Sequence, residues 1–323
     1  MLKDKVVLVT GGTGSFGNRF IDRVLADARP RKVVVFSRDE LKQSDMSERI
    51  ADKRVTYLLG DIRDVARLNV AFHGVDVIIH AAALKQVPAL EYNPFEAVKT
   101  NVLGAENIIS AAIAQGVERV VALSTDKAAN PVNLYGATKL CMEKLFVAGN
   151  SYAGGKKTRF SVVRYGNVVG SRGSVIPKFL EMRKSGRLTL TDDRMTRFWI
   201  TLDQGVETVY HALGDMQGGE IYIPRIPSMR LVDLASAIAP DCKLEIVGIR
   251  PGEKLHEALM TDDESARAID QGKFFMVPPQ FNSWGAPIRK GKGTPPGFVY
   301  TSNVNDRWLE AGEMRTMAGL EAN

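Results

Sequence analysis

Short apolar runs recur through the first half of the chain, at residues 5–10, 32–36, 55–59, 75–80, 117–124 and 159–164, each followed by a polar or helix-like stretch. The runs read as unbroken Val, Ile and Leu, as in Val33-Val34-Val35-Phe36, rather than as apolar and polar positions in alternation. A strand covered by helices on both faces loses the alternation because neither face meets water. The pattern therefore predicts repeated strand-helix-strand units and an α/β fold with a doubly wound parallel sheet. Helices are expected over residues 16–25, 94–114 and 135–148. Beyond residue 170 glycine and proline become more frequent and strands scatter, with short helical pieces expected at 231–239 and 254–259. This predicts a Rossmann-type unit over residues 1–170 and a smaller, mainly substrate-binding lobe over 171–323, the two free to exchange segments. The tail, with Pro278-Pro279, Gly291-Lys292-Gly293 and Pro295-Pro296-Gly297, reads as loop packed over the surface or against another subunit.

The composition narrows the class. A chain of 323 residues, 45% hydrophobic and 25% charged, has the material for one large core or two joined lobes. Its two cysteines, Cys141 and Cys242, lack paired spacing and clustered histidines, so neither a disulfide framework nor a metal site is expected. The net charge of +6 comes from lysines and arginines interspersed with acids. That is the pattern of a solvated surface rather than of a nucleic-acid binder, and it suits an anionic small ligand equally well. The apolar stretches are far shorter than a bilayer span, and Met1 to Asp4 lead into the first strand without a signal-like core. A cytoplasmic location with no membrane partner is the expectation.

Chemistry concentrates at strand ends. Thr10-Gly11-Gly12-Thr13-Gly14-Ser15-Phe16-Gly17 sets a GxxGxxG spacing at the first strand-to-helix turn, where a backbone free of Cβ atoms approaches a pyrophosphate and helix amides meet its charge. After the second strand come Ser37, Arg38 and Asp39, with Lys42 close behind. The Arg38 fork suits the 2′-phosphate of NADP, whereas Asp39 would serve the free ribose of NAD, so NADP is favoured and NAD stays open. Asp61 and Ile62, after the third strand, suit the adenine edge, although Asp61 would serve equally as a helix N-cap. Tyr135 and Lys139 stand four apart on one helix face, so that an ammonium can lower a phenol's pKa for proton exchange with a substrate alcohol. Ser124 or Thr125 can bond the substrate oxygen. Asp126 and Lys127 exceed what alcohol oxidation needs. A lysine to take an acidified C–H proton and a carboxylic acid to protonate a departing hydroxyl would add loss of water.

In order, Gly11-Gly12-Thr13-Gly14, Ser37-Arg38-Asp39-Glu40, His80-Ala81-Ala82-Ala83-Leu84-Lys85, the run from Ser124 to Pro131 and Tyr135-Gly136-Ala137-Thr138-Lys139 resemble the extended short-chain dehydrogenase/reductases. The segments from Arg164 to Val175, Met195 to Ile200 and Arg250-Pro251-Gly252-Glu253-Lys254 narrow the likeness to the C5-inverting UDP-N-acetylglucosamine 4,6-dehydratases of pseudaminic acid synthesis. The resemblance covers residues 4–278 and leaves the final segment unplaced. It implies a tightly held NADP, contacted also by Ala81, Ala82, Ala83 and Lys85. It further implies a redox-neutral cycle in which Tyr135 and Lys139 manage the C4 hydroxyl proton, Lys127 removes the C5 proton and Asp126 assists loss of the C6 hydroxyl. Whether Tyr135 or Lys127 returns the proton to C5 is left open. Lys85, Asn167, Val168, Arg172, Thr189, Arg197, Arg250 and Glu253 fall at family positions for the UDP-sugar, with Trp199 more suited to core packing. Members of the family associate, so a homo-oligomer is expected. A C5-retaining relative usually carries Met at the position of Tyr135 and often a membrane portion before it. A C4 epimerase needs no Asp-Lys pair, and a nicotinamide-sensing scaffold would not need the Tyr-Lys pair.

Overall fold

The computed structural model describes residues 1–171 and 173–320. Six parallel strands lead the chain: β1 (Val6–Thr10), β2 (Lys32–Ser37), β3 (Val55–Leu59), β4 (Val77–His80), β5 (Arg119–Thr125) and β6 (Arg159–Tyr165). They lie in the order β3-β2-β1-β4-β5-β6, with Thr10 level with Phe36 on one side and with His80 on the other. This is the doubly wound Rossmann order, and its direction reverses between β1 and β4, where a crevice opens beyond the carboxyl ends. Helices cover both faces, so the interiors of β1, β2, β4, β5 and β6 are buried, while the edge strand β3 is only partly so. α1 (Ser15–Asp27) buries Phe20, Ile21 and Val24, and the helix Leu134–Ala153 buries Met142 and Phe146.

The chain beyond residue 170 serves two cores. The strand Ile221–Pro224 extends the large sheet beside β6, and Phe274–Val277 pairs antiparallel to it, completing with Ile269–Asp270 and Lys292–Gly293 a sheet of ten strands. A second core gathers Ile176, Phe179, Leu188, Trp199, Leu234, Ile238 and Met314. Trp199 is fully buried there, as core packing requires.

Three local expectations change. The helix expected over 94–114 is present but passes through a π turn, Val98–Leu103. The wider turn aims Asn101 inward, where its amide bonds both the N–H and the carbonyl of Leu84 at 2.9 Å and Thr138 Oγ1 at 3.1 Å. Residues 254–259 are not helical, because their carbonyls are taken by tertiary partners. Arg197 donates to Lys254 O and Leu255 O, the Thr196 amide also donates to Leu255 O, and Ala258–Met260 forms a strand with Tyr300–Thr301. The tail is more than loop, since it supplies Tyr300–Thr301 and the helix Ala311–Met317, whose Met314 is fully buried. Among the described residues no helix is long and apolar enough to cross a membrane.

Candidate active site

A cavity of about 960 Å³ fills the crevice at the sheet's reversal point. Its floor at one end is the turn after β1. Gly11 there has φ +65°, and a Cβ on it would stand 2.8 Å from Ala82 N, so the turn and the strand end carrying Ala81, Ala82 and Ala83 close on each other only around glycine. Gly17, in the first turn of α1, would place a Cβ 2.5 Å from Gly12 O. The N-cap of α1, Gly14, brings no side-chain cap, leaving the helix start to face the cavity through backbone.

Ser37, Arg38, Lys42, Asp61 and Ile62 line the same end. Asp61 is not a helix cap: it accepts from the Arg63 backbone and guanidinium, and Asp64 caps α3 (Val65–Ala71) instead. Asp39 is engaged as the N-cap of α2 (Glu40–Arg49), accepting from Lys42 N at 3.0 Å and pairing with the Lys42 amine. Arg38 is half exposed, with a single 3.5 Å approach to Asp61 Oδ2.

The chemical end lies beyond β5. Thr125, Lys127, Tyr135 and Lys139 all reach the cavity wall. The short 3-10 turn Asp126–Ala128 begins with Thr125 Oγ1 donating to Asp126 Oδ1 at 2.8 Å, and Lys127 Nζ donates to the same oxygen at 3.0 Å. Asp126 is fully buried and stands behind these two groups rather than on the wall, its Oδ2 meeting no hydrogen-bond partner. Burial pushes the Asp126 carboxyl above its ordinary value, against the Lys127 charge. For Lys127 burial opposes the charge, but Asp126 and Glu257 together outweigh it and hold the amine above the usual lysine range. Burial pushes the Tyr135 phenol up to about 12, opposed by the Lys127 charge and a hydrogen bond with Thr125. Lys139, bonded to Leu123 O at 2.6 Å, is pushed down to about 8 by burial, with Glu143 acting the other way. Lys127 and Lys139 thus both line the cavity with Tyr135, and the Lys127 charge favours the ionised phenol.

The family model described as polysaccharide biosynthesis protein matches residues 7–279. The chain belongs to that family. A UDP-N-acetylglucosamine 4,6-dehydratase (inverting) of Campylobacter jejuni is 49% identical, over 97% of either chain. A UDP-glucose 4-epimerase of Rickettsia canadensis is 43% identical over 86% of this chain and 84% of its own. The X-ray structure of Pen from Bacillus thuringiensis superimposes with a TM-score of 0.89 at 40% identity, covering 98% of each chain. The likeness to extended short-chain dehydrogenase/reductases drawn from the motifs holds, and the chain is an enzyme of that type.

Within this family framework, the substrate positions separate. Lys85, Asn167 and Val168 line the cavity, and Asn167 Oδ1 accepts from Lys127 Nζ at 3.4 Å. Arg197 is buried, its two terminal nitrogens donating to the carbonyls of Thr196, Leu255 and Lys254 and to Met195 Sδ and its Nε 3.9 Å from Glu257 Oε1, so it braces the 254–257 segment rather than offering a free fork to a diphosphate. Thr189, Arg250 and Glu253 stand outside the cavity lining, and Arg172 lies outside the described residues. The residue that sequence reasoning missed is Glu257. It is 3% exposed, with Oε1 3.2 Å from Lys127 Nζ. The signal available in the sequence is the carboxylate three residues beyond the Arg250-Pro251-Gly252-Glu253-Lys254 motif, at the end of Leu255-His256-Glu257.

Behind the cavity, Arg164 is fully buried and all its N–H groups are used. They reach Glu143 on the Tyr135 helix, Glu264 on the helix Asp262–Arg267, and Leu259 O, at 2.6–2.9 Å. This knot ties the segment carrying Glu257 to the helix carrying Tyr135.

Proposed function

We propose that the chain binds NADP and dehydrates UDP-N-acetylglucosamine at C4/C6 with inversion at C5. The product would be UDP-2-acetamido-2,6-dideoxy-β-L-arabino-hex-4-ulose, in the first step of pseudaminic acid synthesis. The observation that carries this reading is the Lys127 amine on the same cavity wall as Tyr135, backed by Asp126 at 3.0 Å. Alcohol oxidation alone has no use for that pair.

The glycine turn, which admits no Cβ, and the long cavity running from Arg38 to Tyr135 fit a dinucleotide. Arg38, exposed at the rim, favours the 2′-phosphate form, since Asp39 is occupied by Lys42 and the α2 cap. When bound, the nicotinamide supplies the acceptor, and later the donor, of hydride. Tyr135 exchanges the C4 hydroxyl proton, with Thr125 orienting the phenol. Ketone formation at C4 acidifies C5–H.

Lys127 rests as an ammonium. Transfer of one proton across the 3.0 Å contact to Asp126 leaves a neutral amine to accept the C5 proton and a carboxylic acid to protonate the departing C6 hydroxyl. One N–H bond breaks as one O–H bond forms, and burial, which raises Asp126, works in that direction. Asp126 communicates with the cavity through Thr125 Oγ1.

Incubation with UDP-N-acetylglucosamine in deuterated water should give a product lighter by one water, apart from the solvent deuterium it takes up at C5. NMR should show the L-arabino ring. Lys127→Ala should keep the dinucleotide and stop water loss. A sugar isomerised without loss of water would instead assign an epimerase, the activity in the name of the Rickettsia relative.

A further inference from the structure

Lys127 is held by two carboxylates that come from different parts of the chain. Asp126 adjoins it in sequence, whereas Glu257 arrives from a segment beyond β6, across the crevice from the sheet. That segment is latched to the catalytic loop at two further points: Asn133 Nδ2 donates to Gly252 O at 2.8 Å, and Lys254 Nζ donates to Ala129 O at 2.7 Å. Arg197 fixes it from beneath, through the carbonyls of Lys254 and Leu255. A carboxylate present only to close two surfaces would be saturated with hydrogen bonds. Glu257 is not: among the described residues its Oε2 accepts none and meets only Lys254 at 3.5 Å, and its shortest ionic contact is the amine on the cavity wall.

We propose that Glu257 is a positioning residue for the dehydration step, holding the Lys127 amino group in place and setting the pH at which that amine becomes neutral. The inference rests on the function proposed above for its catalytic meaning, but the charge relation between the two side chains can be tested without it. The charged and titratable groups facing Lys127 are Asp126 on its own turn, Tyr135 on the following helix, Arg197 on the strand Thr196–Ile200, and Glu257. Lys254, on the segment that carries Glu257, pairs with Glu257 Oε2 at 3.5 Å. Asp126 and Glu257 favour the ammonium, and Arg197 disfavours it. Replacing Glu257 by a neutral isostere removes one of the two favouring charges, so neutrality should come at lower pH. An opposite charge within ~4–6 Å typically shifts such a group by about 1–3 units.

The test uses the full chain with its dinucleotide bound. Acetic anhydride acetylates only neutral amines, and the Lys127 peptide can be followed by mass spectrometry over a pH series. In Glu257→Gln the acetylation rate of Lys127 at a fixed pH should rise by about tenfold or more. The acid limb of the pH profile for water loss should move down by the matching amount. Glu257→Asp, which keeps the charge but lengthens the contact, should shift in the same direction by less, and it carries the test should the Gln variant not fold. An unchanged Lys127 acetylation profile in a folded variant overturns the proposal, as does loss of turnover with no movement of the pH profile. If acetylation shifts while the wild type leaves UDP-N-acetylglucosamine intact, the function reading fails and the charge relation stands.

Discussion

Gly136→Ala offers a test in which helix propensity and tertiary packing predict opposite signs. Gly136 lies in the first turn of the helix Leu134–Ala153, between Tyr135 and the rest of the Tyr-Lys motif. By propensity alone, alanine should stabilise a helix there by ~0.5–1 kcal/mol. A Cβ at this position, however, would stand 2.1 Å from Lys127 O, where ordinary contact begins near 3.4 Å. Both partners are backbone, and Pro131 Cβ at 3.1 Å blocks an easy sidestep. The helix and the Asp126–Lys127 turn must then part by roughly 1.3 Å, the gap between those two distances. Overpacking of this kind costs about 1–3 kcal/mol, which exceeds the propensity gain. Misplacing reacting groups by ~1 Å costs on the order of a hundredfold in rate. Urea unfolding should therefore show a net loss of stability, and turnover of the sugar nucleotide should fall about a hundredfold with the cofactor still bound. A variant more stable than the wild type and equally active would refute the claim that this contact fixes Lys127 against Tyr135.

Arg164→Met should leave Glu143 and Glu264 buried without their cation, at a cost of about 3–5 kcal/mol in denaturant unfolding. Burial opposes ionisation of Glu264, yet the Arg164 hydrogen bonds hold it down at about 2. The wild type should therefore lose stability as pH falls from the ordinary glutamate range near ~4.3 toward about 2, and the variant should lack that part of the acid slope. Arg38→Ala should weaken NADP binding by about tenfold or more in calorimetry and leave NAD binding nearly unchanged. Equal losses for both would remove Arg38 from the 2′-phosphate.

The large sheet was legible because its strands are apolar on both faces and its first turn needs glycine for a steric reason the sequence displays. Tyr135, Lys139 and the Thr125-Asp126-Lys127 run were legible because their spacing is local. The parts that were not legible depend on partners far along the chain. Residues 254–259 carry a helical pattern, yet Arg197 and Thr196 capture the carbonyls a helix would use. Arg197 looks from its sequence like an anion ligand, and only the fold shows its terminal nitrogens taken up by three backbone carbonyls and its Nε turned toward Glu257. Asp126, which the sequence marks only as an acid for the departing hydroxyl, lies one layer behind the cavity wall, since the 3-10 turn sends Lys127 to the surface of the cavity and its neighbour inward. Glu257 meets Lys127 across 130 residues of chain, a relation that no local spacing encodes.

The crossing of the chain back into the large sheet, first at Ile221–Pro224 and again at Phe274–Val277, has a mechanical consequence. A lobe joined to its neighbour by one linker can swing as a rigid flap. Here the second core is joined to the first by several covalent passages rather than by one linker, which restrains such a swing. Access for a bulky nucleotide sugar is then expected from bending of the exposed segment 247–251, which precedes the latched residues Gly252 and Lys254. Proteolytic nicking there should leave both cores assembled, where a hinged protein would fall into halves.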